Sequence, residues 1–291
     1  MPENNAEAQP RVSAFKERLE QLGWIGGKNL HMEFRWAEDL SRIGTYAAEL
    51  AGLTPDVILT TSTPTTKAVQ QTTTTTPIVF VGVSDPMSTG IVASLAKPGG
   101  NTTGFANYEF AIGGKWLELL KEIAPHVKQA HVIVDPNNPT GSWHLQTIES
   151  AALAVGIAVT TVVVRNKDEI GPAFATFSKE REKGLIVLPG PVTNAHRNEI
   201  IASAMAHRIP AVYPFRFYTI KGGLVSSGVD TRDQYRRAAF YIDRILKSDK
   251  PADLPVQAPT TYEIVINLNT AKTLDITIPP ALLARADEVI E

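Results

Sequence analysis

The chain has no cysteine, which excludes disulfides, thiol nucleophiles and cysteine-ligated metal sites. It leaves the redox compartment open, because an oxidising environment does not oblige a protein to carry cysteine. No apolar run approaches the roughly 18 residues that cross a bilayer, and Met1-Pro2-Glu3-Asn4-Asn5 opens without a basic or hydrophobic secretory segment. An excess of one charge is also missing. The 28 basic and 30 acidic residues form no long block of either sign, so the electrostatic footprint of a nucleic-acid binder is absent. Gly-x-Ser-x-Gly, the P-loop and the zincin motif do not occur. The six histidines, His31, His126, His131, His144, His196 and His207, lack metal-ligand spacing. No catalysis, cofactor or metal is expected.

What is present is the balance of a soluble globular protein, 43% hydrophobic and 20% charged, in 291 residues. That length favours two compact units over one core. Helical and strand periods alternate almost from end to end, the pattern of βα units around mainly parallel sheets. Helices are predicted over residues 7–22, 41–50, 64–71, 113–123, 144–154, 169–180, 194–207 and 232–247. Strands are predicted over 30–36, 56–60, 78–83, 130–134, 159–164, 184–188, 211–213, 221–227 and 262–268. Thr72 to Thr76 reads as a polar extended connection, and Gly99 to Gly104 as a turn between strands.

In parallel sheets ligands bind beyond the carboxyl ends of strands, where helix N-termini present N–H groups. Ser62 and Thr63, with Pro64 behind them, follow one such strand; the sequence leaves an ordinary helix cap and a carboxylate cradle equally open. Ser84 and Asp85 follow the next. There Asp85 serves either to cap a helix or to accept a hydrogen bond from a ligand ammonium group. In the second half the equivalent loops are Asp135 to Pro139 and Pro189 to Thr193, where proline and glycine have turn roles by default. Trp143 is either a stacking platform or helix packing.

Several strings, in order, resemble the tryptophan/tyrosine-type substrate-binding proteins of ABC transporters, which have the type I periplasmic binding fold. They include Leu22-Gly23-Trp24, Phe34-Arg35-Trp36-Ala37, Pro77 to Val81 with Ser84-Asp85-Pro86, and Lys97 to Gly104. Later come Val212 to Arg216, Gly222-Gly223-Leu224, Pro255 to Thr260, Ile264 to Leu268 and Ile278-Pro279-Pro280. The resemblance covers nearly the whole chain. It implies an α/β protein of two doubly wound parallel-sheet lobes joined by a three-segment hinge. Lobe 1 is expected at 1–106 plus 229–291 and lobe 2 at 107–228. A small solute, an amino acid or related carboxylate, would be captured in the cleft and delivered to ABC transporter permease subunits. By the same resemblance the cleft candidates are Ser62, Thr63, Ser84, Asp85, Asn107, Tyr213 and Asp230, with Asn137 and Pro189 as additions. A monomer acting in the periplasm is implied.

Two departures accompany the resemblance. Met1 falls where the family's first β-strand should have ended, so that strand is expected to be missing, and Ser227 stands where close relatives would carry an aromatic residue. A ligand-sensing module of a signalling or regulatory system on the same fold is the rival reading. It would need a DNA-binding or signalling segment that the sequence does not supply.

Overall fold

The computed structural model describes residues 8–36, 40–107, 112–136, 138, 140–177 and 181–291. Contacts divide the chain into unit 1, Met1–Tyr108 with Asp230–Thr261, and unit 2, Glu109–Val229 with Tyr262–Glu291. Unit 1 begins with α1 (Ala8–Gln21), α2 (Ile43–Gly52), β1 (Ile58–Thr61), α3 (Thr63–Gln70), β2 (Ile78–Val83) and β3 (Thr102–Ala106). Unit 2 follows with α4 (Ile112–Ile123), β4 (Gln129–Val134), α5 (Gly141–Val155), β5 (Ala158–Val163), α6 (Ile170–Phe177) and β6 (Lys183–Val187). It continues through α7 (Pro191–Ala195), α8 (Arg197–Ala206), β7 (Ala211–Tyr213), α9 (Arg216–Ile220) and β8 (Val225–Val229). The chain returns to unit 1 for α10 (Thr231–Leu246). It ends in unit 2 with β9 (Tyr262–Asn267), α11 (Leu268–Leu274), α12 (Pro280–Leu283) and β10 (Glu288–Ile290).

In unit 1, β1, β2 and β3 form a parallel sheet in that order. Strand β2 explains its layering: Val79 and Val81 face a core with Phe15 and Leu19 of α1 and Ala238, Ile242 and Ile245 of α10. Ile78 packs on the other side with Ala47, Ile58 and Val69, and Phe80 with Ile91, Val92 and Val256. A period of two thus buries both faces of one strand, as a sheet covered by helices requires. Gly104 lets β3 approach β2, because a Cβ there would lie 2.1 Å from the Phe80 carbonyl oxygen. The stretch 102–106 is therefore a fully buried strand that the glycine-rich reading as a turn missed.

In unit 2 seven strands run β10-β9-β8-β7-β6-β4-β5. All pair in parallel except β8 with β9, which are antiparallel. This pairing corrects the expected boundaries. Residues 262–291 belong to unit 2, not to the first lobe, because β9 takes its ladder from β8 and β10 takes its own from β9. Asp287 reinforces the attachment through its side chain and its N–H, both bonded to the Ile264 backbone.

Other expectations shift locally. Residues 31–36, predicted as a strand, have no ladder partner among the described residues and form no strand. The helix predicted over 194–207 is two helices broken at His196, whose φ of −105° and ψ of 28° leave the helical region. Part of the strand predicted over 221–227 is the turn that follows α9, and β8 starts only at Val225. Residues 178–180 of one predicted helix lie outside the described residues. No described helix is long and apolar enough to cross a membrane.

Candidate functional site

Five of the unit 1 candidates lie at the carboxyl ends of parallel strands of one sheet, Ser62 and Thr63 after β1, Ser84 and Asp85 after β2, and Asn107 after β3. Ser62 extends the β1–β2 ladder by donating its N–H to the Val81 carbonyl at 2.9 Å, and in the next residue the chain enters α3. Its carbonyl then accepts from the Thr66 N–H at 3.2 Å and the Thr66 hydroxyl at 2.7 Å. The Thr66 hydroxyl also meets that of Thr60 at 2.9 Å in a buried pair. Although Ser62 stands at the N-cap position, its side chain makes no capping bond. The cap reading of this motif is thus not what the structure uses, and the first turn of α3 keeps its outward-facing donors.

Within β2, at the register irregularity between Val81 and Val83, Gly82 has φ 73°, and a Cβ there would lie 3.5 Å from Asn107 Nδ2 and 3.8 Å from the Ser62 nitrogen. Those are ordinary contact distances, so it is the positive φ that favours glycine here, with Ser62 and Asn107 both beside it. Asn107 donates its backbone N–H to the Val83 carbonyl at 2.9 Å and its side-chain amide to the Gly82 carbonyl at 3.3 Å. Its Oδ1 is buried and accepts no bond from the described residues. Asp85 behaves similarly. Its Oδ1 caps the following turn through the N–H groups of Met87 at 3.1 Å and Ser88 at 3.0 Å, while Oδ2 is buried without a donor among the described residues. Ser84 beside it is half-buried.

Asp230 is committed to local structure. Its Oδ1 accepts from the Arg232 N–H at 2.8 Å and the Asp233 N–H at 3.2 Å, capping α10. An aspartate at this position also faces the positive end of the helix dipole. Asp230 is consequently a weaker candidate than Asp85.

In unit 2 the loops after β4 and β6 are tied together. Asp135, fully buried, accepts the Val192 N–H at 2.6 Å, and Asn138 donates its amide to the Pro189 carbonyl. Gly190 is required between them, since a Cβ would lie 2.4 Å from that of Asp135. Pro189 is buried and its carbonyl is engaged by Asn138, so its visible role is to shape the loop. Asn137 lies outside the described residues. Asp135 and Asn138 were not singled out from the sequence; the signal was an Asp and an Asn within one strand-end loop, which turn chemistry alone already accounts for.

Tyr213 corrects an expectation. The resemblance makes it a cleft candidate, but the residue is 1% exposed and its ring stacks on Tyr218 with centroids 5.0 Å apart. Gly223 supplies the space, for a Cβ there would be 2.7 Å from Tyr213 Cε2. Burial raises the pKa of its phenol. Within unit 2 this ring is core packing. Ser227, the departure from the aromatic pattern, is also mostly buried; its carbonyl accepts from Trp116 Nε1 at 2.6 Å, and the residue borders a cavity of about 420 Å³ with Ile112, Lys115 and Tyr262. Two histidines are packing groups: His131 stacks on Phe177 at 4.2 Å, and His144 meets Trp116 edge-on at 5.3 Å. No cluster of three or more metal-ligating side chains occurs among the described residues.

Parallel-sheet units with polar groups gathered at strand carboxyl ends, and a chain that passes from unit to unit at 108–109, 229–230 and 261–262, are the arrangement of a type I periplasmic binding fold. The chain belongs to the ABC transporter substrate binding protein family, whose sequence model matches residues 6–290. It is 27% identical over 268 residues to a tyrosine-binding protein of Clostridioides difficile, covering 90% of this chain and 75% of that protein. A conserved domain protein of Vibrio cholerae superposes with a TM-score of 0.86 at 27% identity, over 97% of this chain and 94% of the other. An ABC domain from Streptococcus pneumonia in complex with L-Trp gives a TM-score of 0.87 at 24% identity, over 98% and 96%. The family and fold read from the sequence are thereby confirmed, and with them the role of substrate-binding component of an ABC transporter.

Proposed function

We propose that this protein captures a zwitterionic amino acid, with L-tyrosine and L-tryptophan as the leading ligands, and presents it to ABC permease subunits without chemical change. The observation that carries the reading is the chemistry left open at the ends of β1, β2 and β3. Asp85 Oδ2 and Asn107 Oδ1 are buried acceptors without donors among the described residues, in the same sheet as β1, whose following α3 has an N-terminus that no side chain caps. A buried acceptor without a donor is costly, on the order of 1–3 kcal/mol, and a helix N-terminus suits an anion. A ligand ammonium group answers the first need and its carboxylate the second. A bare carboxylate answers only one, which favours amino acids over other small acids. The relative that binds tyrosine and the related fold holding L-Trp support an aromatic side chain.

The assigned residues are Ser62, Thr63, Ser84, Asp85 and Asn107, with Asp135, Asn138 and Pro189 shaping the second-unit loops and Asp230 a minor contributor. Ligand contacts that differ between open and closed states would select the closed state for the permease. The protein acts as a monomer on the periplasmic side of the membrane. The test is a thermal-shift and calorimetric screen against the proteinogenic amino acids, their deaminated acids and their decarboxylated amines. A ligand that binds only the native state raises apparent stability. Shifts with L-tyrosine or L-tryptophan but not with 4-hydroxyphenylpropionate or tyramine are expected. Equal shifts with the deaminated acids would overturn the zwitterion assignment.

A further inference from the structure

Ser62 combines φ 84° with ψ 158°. This region is essentially restricted to glycine, because a Cβ there collides with the local backbone. It differs from the ordinary left-handed conformation of Asp275, with φ 63° and ψ 38°, which closes α11. The backbone requirement is plain: within one residue the chain must give an N–H to the Val81 carbonyl as a strand and turn its own carbonyl into α3. Glycine would meet that requirement without strain. A serine there needs another reason, and the contacts of its hydroxyl within the protein do not provide one.

Ser62 Oγ has a single described contact, Thr65 Oγ1 at 3.2 Å, long for a bond between hydroxyls. Thr65 directs its one hydroxyl proton at the carbonyls of Thr61 and Ser62. The proton in the Ser62–Thr65 contact therefore comes from Ser62, and little is lost when it turns elsewhere. The side chain also does not cap α3. Building on the amino-acid reading, we infer that Ser62 accepts a glycine-only backbone conformation so that its hydroxyl can donate to the ligand carboxylate at the mouth of α3. The serine thus trades fold stability for affinity at one position.

Two variants separate the strain from the hydroxyl. Ser62→Gly removes both, and Ser62→Ala removes only the hydroxyl. Melting of the ligand-free proteins should place S62G a few degrees above the wild type and S62A close to it. Titration with L-tyrosine and L-tryptophan should show both variants weakened alike, about tenfold, as expected for a lost charge-assisted bond. A melting temperature for S62G at or below that of the wild type would overturn the strain. Wild-type affinity in S62G or S62A would overturn the hydroxyl's role even if S62G melts higher. A wild type that binds neither probe defeats the amino-acid reading, and the hydroxyl's role with it, while the melting order still judges the strain.

Discussion

The carboxylate of Asp135 and the backbone N–H of Val192 meet at 2.6 Å, joining the loop after β4 to the first turn of α7 through a side chain with no exposure. Both loops stand at strand carboxyl ends, where ligand contacts arise in this fold.

Replacing Asp135 by alanine removes the acceptor and leaves the N–H of half-buried Val192, in the first turn of α7, without it. A loss of about 1–3 kcal/mol is expected, read as a lower urea midpoint with an unchanged slope. An unchanged midpoint would show that the bond contributes nothing.

Asp85→Asn separates the two oxygens of this side chain. Asparagine can still cap the Met87–Ser88 turn that Oδ1 now holds, so the melting temperature should stay within a few degrees. The buried Oδ2 acceptor is lost, and L-tyrosine binding should weaken about tenfold or more, roughly 1.4 kcal/mol. Equal affinities in calorimetry would remove Asp85 from the site.

Glycine positions give a contrast in stability. Gly104→Ala places a methyl group 2.1 Å from the Phe80 carbonyl oxygen and should destabilise by more than about 3 kcal/mol. Gly44→Ala, inside α2 with nothing within 4 Å, should stabilise by roughly 0.5–1 kcal/mol. Paired denaturation curves decide both, and a tolerated G104A would mean that β2 and β3 can move apart.

Burial against Trp116 pushes His144 down from 6.5 to about 4. The unfolded chain binds a proton near pH 6.5 that the folded protein refuses until about pH 4. The contribution of the neutral imidazole is therefore fully present above pH 6.5 and is lost as pH falls towards 4. The lowered pKa corresponds to about 3 kcal/mol across that window. His144→Gln should flatten the pH dependence of the unfolding free energy between pH 7 and 4. A slope equal to that of the wild type would assign the acid sensitivity to other groups.

Much of this architecture is legible along the chain. The strands at 78–83 and 211–213 fall where β-branched and aromatic runs predict them, and α10 covers the amphipathic stretch ended by Ser248-Asp249-Lys250-Pro251. Strand β3 was hidden because Thr-Thr-Gly-Phe-Ala offers a glycine where strands usually lack one; only the approach of Phe80 explains that choice. The candidate loops at Ser62 and Asp85 were found from strand-end position. What their side chains do was not, because a cap and a ligand contact use the same residue types.

The sequence by itself determined the family, the alternation of helices and strands and the exclusion of thiol chemistry, since these rest on composition, periodicity and ordered local strings. The tertiary structure decided where 262–291 belongs, because strand pairing joins residues far apart in the chain. It turned Tyr213 inward onto Tyr218. It also left Asp85 Oδ2 and Asn107 Oδ1 buried without donors among the described residues, since burial and hydrogen-bond satisfaction exist only once distant segments are packed against one another.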